Sequence, residues 1–336
     1  MGIVSIARGV AMTLAALVIT GPAFAQNQAD YPVSMAFPSD LASRALLLDV
    51  EASGDRLIAV GEYGHIIYSD DFGDTWQQAS SVPTRATLTS VDFVDAMNGW
   101  AVGHDAVILH TEDGGLTWER QYIDPLAETP LLSVHFYDTN HGLAVGAFSL
   151  AMETFDGGVT WETRFLDLEM DEFADILYHL NGIFDGPDGS VFVAAELGAV
   201  YRSTDGGVTF DEITTPYDGS FWGGLSFNGT VLVFGMRGNV WRSDDMGDSW
   251  IKVDSDSIQS FGGGAVLADG TIVLAGLGGA VTYSTDEART FTGVIRPARR
   301  GHSAAAAAGE NGVVVVGEAG AALMPGRAAD YAPETF

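Results

Sequence analysis

One eight-residue pattern recurs six times along this 336-residue chain, and it constrains the fold more than any other feature. It reads SDDFGDTW at 69–76, TEDGGLTW at 111–118, TFDGGVTW at 154–161, STDGGVTF at 203–210, SDDMGDSW at 243–250 and STDEARTF at 284–291. Its third-position acids are Asp71, Asp113, Asp156, Asp205, Asp245 and Asp286, spaced by 42, 43, 49, 40 and 41 residues. Self-similarity at a period of about 20–50 residues marks an array of one repeated supersecondary unit.

A second pattern precedes each box: an alternating strand ending near Gly, a tight turn, then another strand. It reads VGEYGHIIYS (60–69), VGHDAVILHT (102–111), VGAFSLAMET (145–154), AAELGAVYRS (194–203), FGMRGNVWRS (234–243), AGLGGAVTYS (275–284) and, without a box after it, VGEAGAALMP (316–325). With an opening strand such as LTSVDFVDAMNGWAVG (88–103), each repeat holds four short strands divided by Gly, Asn and Asp turns. That is the blade of a β-propeller. The chain reads as all-β: seven four-stranded antiparallel blades joined through Asp-box turns. The seventh copy lacks an outer strand, so Val33 to Phe37 are expected to supply it and close the ring, leaving no long sheet edge. A six-bladed ring with a loose C-terminus is the alternative. Val313 to Val316 followed by Gly317 favours seven. The organisation is then 1–25 signal peptide, 26–45 N-terminal segment and closing strand, 46–325 propeller and 326–336 tail.

Within the box, the Asp and Ser/Thr side chains are short enough to bond the turn's own amides. The closing aromatic (Trp76, Trp118, Trp161 and Trp250, Phe in the other two) is placed to wedge between neighbouring sheets. Box acids about forty residues apart fall on different blades, too distant to share a proton or a cation, so the box is structural. Ala288 replaces glycine in the sixth box, whose turn should be the weakest.

These boxes are similar to the Asp-box, or bacterial neuraminidase repeat. The fuller pattern, from Val91-Asp92-Phe93-Val94-Asp95 through Gly99-Trp100-Ala101-Val102-Gly103, resembles the photosystem II stability/assembly factor family, and Val134 to Gly146 fits with Leu143 in place of Trp. The resemblance covers about residues 40–325, although blades four to seven keep the turns and lose the opening. It implies a seven-bladed ring, a periplasmic or thylakoid-lumen-like location, and a non-enzymatic role in assembling a membrane complex.

Composition narrows the function classes. With 45 acidic and 15 basic residues the formal charge is −30, which excludes duplex nucleic acid, because phosphate binding needs clustered cations. It also disfavours anionic membrane surfaces. Cysteine is absent, removing disulfides and thiol chemistry. Arg8, the apolar run Val10 to Thr20, Gly21-Pro22 and Ala23-Phe24-Ala25 have the layout of a secretory signal peptide. The product is expected to be exported and monomeric, with no cofactor.

The turns between second and third strands share a face with the blade-to-blade connections. That face, the channel mouth, holds the partner-binding candidates Arg44, Glu62, Arg85, His104, Glu196, Trp222, Arg237, Arg300 and Glu318, with Tyr63, His65, Asp105, Phe148, His179, Phe261 and His302 nearby. Glu62 is expected to meet Arg85, and Glu318 to meet Arg44, either as inter-blade ion pairs or as a charged mouth for an extracytoplasmic loop or tail of a membrane protein complex. Arg296, Arg299 and Arg300 make the one basic cluster, and apolar residues at 166, 170, 173 and 177 have helical spacing. No catalytic residue is assigned, since the sialidase signals are missing. No metal-binding spacing appears among the seven histidines. The rival reading is an exported sialidase-like glycan hydrolase or glycan-binding propeller.

Overall fold

A computed structural model describes residues 31–166, 177–295, 298–310 and 312–330. The expected signal peptide at 1–25, the helically spaced 166–177 segment (apart from its two ends) and Arg296 lie outside those residues. Seven separate antiparallel sheets are arranged so that each inner strand packs against the inner strand of the next sheet, and the last against the first. Blade one is Leu47–Ser53, Arg56–Gly61, Ile66–Ser69 and Gln77–Gln78, hydrogen-bonded in that order from channel to rim.

Alternation explains how the blades stack. In a strand, successive side chains face opposite ways, so one sheet presents apolar residues to both neighbours. Leu57, Ala59 and Ile67 of blade one pack with Val314 and Val316 of blade seven, while Ile58, Val60 and Ile66 pack with Val91 and Leu109 of blade two. Seven such clusters, one per seam, replace a single central core.

The box bonds repeat with little variation. In the second box, Thr111 Oγ1 donates to Asp113 Oδ1 at 2.9 Å, and the Gly115 and Thr117 amides bond Thr111 Oγ1 and Asp113 Oδ1 at 3.0 and 2.9 Å. Such bonds hold the box carboxylates ionised, Asp205 being pulled down to about 2, chiefly by the Thr209 amide and hydroxyl. The degenerate sixth box keeps the same network: the Ala288 and Thr290 amides bond Ser284 and Asp286 at 2.9 Å each. It does so with Ala288 buried at φ 55, where an alanine is strained. The expected weakness therefore lies in the backbone conformation, with the hydrogen bonds retained.

Glycine before six of the seven second turns, with Ala195 in its place in blade four, answers a different need. Gly61, Gly103, Gly146, Gly235, Gly276 and Gly317 are extended or unstrained, but a Cβ on each would overlap the carbonyl oxygen of Leu46, Thr87, Pro130, Ser220, Ser260 or Gly301, at the start of its own inner strand. Gly103→Ala should therefore destabilise the fold by about 2–3 kcal/mol, the cost of overpacking against backbone that cannot move aside. Urea denaturation reads this directly, and an unchanged midpoint would contradict it.

The N-terminal segment does not close the ring. Among the described residues blade seven has three strands, His302–Ala308, Gly312–Gly317 and Gly320–Pro325, and residues 33–37 form no strand. Main-chain and side-chain bonds hold that segment on blades one and two instead. Ala36 N donates to Val82 O at 2.9 Å, Arg85 Nε to Met35 O at 2.8 Å, and Arg120 Nη2 to Tyr31 O at 2.8 Å. Apolar contact between blades one and seven closes the ring, with the turn Ala42–Arg44 against Gly320–Pro325.

Candidate partner-binding face and channel

In six of the seven blades the turn between the second and third strands folds back onto the start of its inner strand. The amides of Glu62, His104, Ala147, Met236, Leu277 and Glu318 bond the carbonyls of Leu46, Thr87, Pro130, Ser220, Ser260 and Gly301. The turns therefore gather around one end of the channel, as the sequence implies.

Three glutamates occupy the first turn position in blades one, four and seven, and their carboxylates are used locally. Glu62 Oε1 accepts the Leu46 amide at 3.0 Å, Glu196 Oε2 the His179 amide at 3.0 Å, and Glu318 Oε2 the Gly301 amide at 3.1 Å. Glu196 also contacts His179 Nδ1 at 2.7 Å. The expected Glu62–Arg85 and Glu318–Arg44 pairs do not form. An N–H one strand away in the same blade is nearer and already in line. Arg85 stacks on the Phe37 ring at 3.8 Å and holds the N-terminal segment. Other arginines serve the opposite rim: Arg56, Arg164 and Arg202 donate to box carbonyls of Gly114, Gly207 and Met246 in the next blade.

What remains open at the mouth is mixed. Arg44, Arg237 and Arg300 are exposed and form no ion pair among the described residues. His104 is exposed as well, whereas His65, Phe261 and His302 are buried. At the second turn position stand Tyr63, Phe148 and Leu197, with φ of 58, 55 and 55° and exposures of 63, 56 and 57%. Bulky side chains rarely occupy the left-handed region, and such strain clusters where a side chain is presented for use. Tyr63 and Phe148 were legible as turn residues. Leu197 carried no signal beyond its position in the repeat.

The channel itself was less legible. All seven inner strands slip register by one residue against their partners near the mouth. A bulge re-aims a side chain, and here the residues at the slip (Leu48, Thr89, Leu132, Asn181, Trp222, Gly262 and Ser303) all line a channel of about 290 Å³. Trp222 thus faces the channel, while the other mouth candidates sit on turns or strand starts around its rim.

Deeper down, acids gather on one wall. Asp49 accepts the amides of Val50 and Val91 at 2.8 and 3.0 Å, and Asp92 that of Phe136 at 2.6 Å, so each carboxylate ties its inner strand to the next. His135 lies between Asp92 (3.8 Å) and Asp185 (3.5 Å). Burial pushes Asp49 up to about 6, despite its amide bonds. Burial, then the charges of Asp92 and Asp49, push Glu51 well above the usual carboxylate range. Burial opposes charge on His135, but Asp92 and Asp185 outweigh it and raise its pKa. The facing wall is Gly223, Gly224, Gly263 and Ala304, with no ionisable group. The signal in the sequence was a charge inside an alternating strand, at Asp49, Asp92 and His135. Among the described residues no cluster of His, Asp or Glu is arranged to hold a metal ion, and no helix is long and apolar enough to cross a membrane.

Comparison with known proteins agrees with this architecture. Residues 75–130 and 123–214 match the family described as photosynthesis system II assembly factor YCF48. A 42-residue stretch is 45% identical to the photosystem II assembly protein Ycf48 of Thermosynechococcus vestitus, covering 12% of each protein. A stretch of 83 residues is 35% identical to the chloroplastic stability/assembly factor HCF136 of Cyanidioschyzon merolae, covering 23% of this chain and 19% of that one. The alignments thus span a fifth or less of those relatives. Whole-fold similarity is wider: a structure of YCF48 bound to D1 peptide superposes with a TM-score of 0.67 at 17% identity, covering 88% of this chain and 97% of that one. A streptogramin B lyase superposes with a TM-score of 0.70 at 12% identity, over 87% and 96%, and shares the fold alone. The chain is thus a seven-bladed propeller of Asp-box blades, similar to the photosystem II stability/assembly factor family over the matched stretch in blades one to four.

Proposed function

We propose that this propeller is an exported, non-enzymatic assembly factor that holds an extracytoplasmic loop or tail of a membrane protein complex at its channel mouth. The observation that carries the reading is the mouth itself. Tyr63, Phe148 and Leu197 are exposed in strained conformations beside Arg44, Arg237 and Arg300, on a protein whose charge is otherwise strongly negative. Exposed aromatic and apolar side chains supply anchor area, and arginine's planar fork recognises carboxylates. A polypeptide segment with apolar anchors and acidic or C-terminal carboxylates fits that chemistry. The binding of a D1 peptide by a solved YCF48 of the same fold supports this class of partner. Export is supported by the layout of residues 1–25.

The D1 peptide of that complex is the natural probe. The native chain should bind it saturably. Combining Tyr63→Ser, Phe148→Ser, Arg44→Glu and Arg237→Glu should weaken binding by about 30-fold or more, since one anchor side chain alone contributes about 2 kcal/mol. Equal binding by native and substituted chains, or none by the native chain, would remove the mouth as the site. Turnover of a fluorogenic glycoside panel, abolished by one carboxylate substitution, would replace the reading with a glycan hydrolase.

A further inference from the structure

The seam between blades seven and one is built one strand short. The outermost strand of blade seven, Gly320–Pro325, pairs with Gly312–Gly317 on one side and, among the described residues, with no strand on the other. Strand edges of this kind present unpaired N–H and C=O groups and are normally guarded by charge. Four of the six outer strands elsewhere carry charged side chains, as in Glu119–Tyr122 and Asp211–Thr214. Gly320–Pro325 carries none, and Leu323 on it is 45% exposed. Beside this edge, the turn Ala42–Arg44 rests on the strand and also lines a cavity of about 450 Å³ whose walls include Pro38, Ile67, Trp76 and Gln78. In the other blades a box aromatic packs on the sheet before it. Trp76 meets blade seven, where the fourth strand is missing.

We propose that this edge is a second binding site, independent of the mouth, which takes an extended, uncharged or basic peptide segment of a partner as the fourth strand of blade seven. The described residues nearest the chain's ends lead elsewhere. Tyr31 is bonded to Arg120 in blade two, and beyond Pro325 the chain turns towards blade six, where Arg327 meets Asp269 at 3.0 Å. A second copy is disfavoured because two chains of charge −30 repel. Main-chain bonds would supply affinity, and side chains alternating apolar and polar would place the apolar set towards Trp76.

The probe is a fluorescent, acetylated and amidated peptide of alternating valine and threonine with a lysine at each end, titrated into the full chain by anisotropy. Saturable one-to-one binding is expected. Methylating alternate peptide nitrogens should weaken it about tenfold, the scale of one or two net main-chain hydrogen bonds. Leu323→Pro should weaken it similarly, while Phe148→Ser with Arg237→Glu, at the mouth on blades three and five, leaves it unchanged. The methylated peptide needs no protein variant, so a folding defect in Leu323→Pro does not blur the result. Equal affinity for the methylated peptide, absence of saturation, or a dimer of the chain alone that Leu323→Pro dissociates would each overturn the proposal.

Discussion

Trp118→Ala should destabilise the propeller by about 3–5 kcal/mol, the usual cost of deleting a buried indole, and Trp76→Ala should cost distinctly less. Trp118 is 3% exposed and packs among Ile58, Val60, Ile66, Ala79 and Val82 of blade one, with its ring edge-on to Phe93 at 6.1 Å. Trp76 holds the equivalent place and makes the same bond, Nε1 to the Gly73 carbonyl at 3.1 Å, as Trp118 does to Gly115. Its neighbouring sheet is one strand short, and it already lines a cavity. Removing a side chain that lacks part of its packing forfeits fewer contacts. Urea unfolding of both variants gives the comparison, and equal losses would mean that the seam is as well packed as the complete ones.

Stability should fall as pH rises from about 4 to about 7. A carboxyl whose folded pKa is raised binds more protons in the folded than in the unfolded chain, so stability declines with pH between the two values. For Asp49 the window runs from its ordinary value of 3.8 to about 6, and the full span is worth about 3 kcal/mol. Glu51, raised well above its ordinary value, acts in the same direction. The raised His135 adds stability that is complete below 6.5 and is lost as pH climbs through its folded value. Box aspartates do the reverse: lowered values, as for Asp205 and Asp286 at about 2, give stability above 3.8 that is lost on acidification. The optimum should therefore lie at about pH 4 to 5, below neutrality. Thermal melts across pH check this, and Asp49→Asn should flatten the decline between pH 4 and 6. A decline of unchanged slope in that variant would assign it to other groups.

Part of the site was legible because it resides in turns. The second turns return to the start of their inner strands in six blades, so the repeat position alone puts Glu62, His104, Arg237 and Glu318 on turns at one end of the channel. Their partners were not legible. Pairing by charge suggested Glu62 with Arg85, yet the carboxylate took the Leu46 amide, while Arg85 took the Met35 carbonyl and the Phe37 ring. A backbone group already aligned at about 3 Å outcompetes an exposed ion pair of small net worth. The acidic channel wall escaped notice for another reason. Asp49, Asp92 and Asp185 lie at least 43 residues apart and become neighbours only when the ring closes.

The sequence by itself determined the blade, its count and its turns, because each is a local matter: alternation sets two apolar faces, Ser/Thr and Asp bond amides within five residues, and glycine stands where backbone crowds backbone. Only the tertiary structure decided how the ring closes, which arginines stay free and where the carboxylates meet. Those outcomes depend on which groups from distant blades arrive at the same place, and on a short N-terminal segment finding better hydrogen-bond partners on blades one and two than on the edge it was expected to fill.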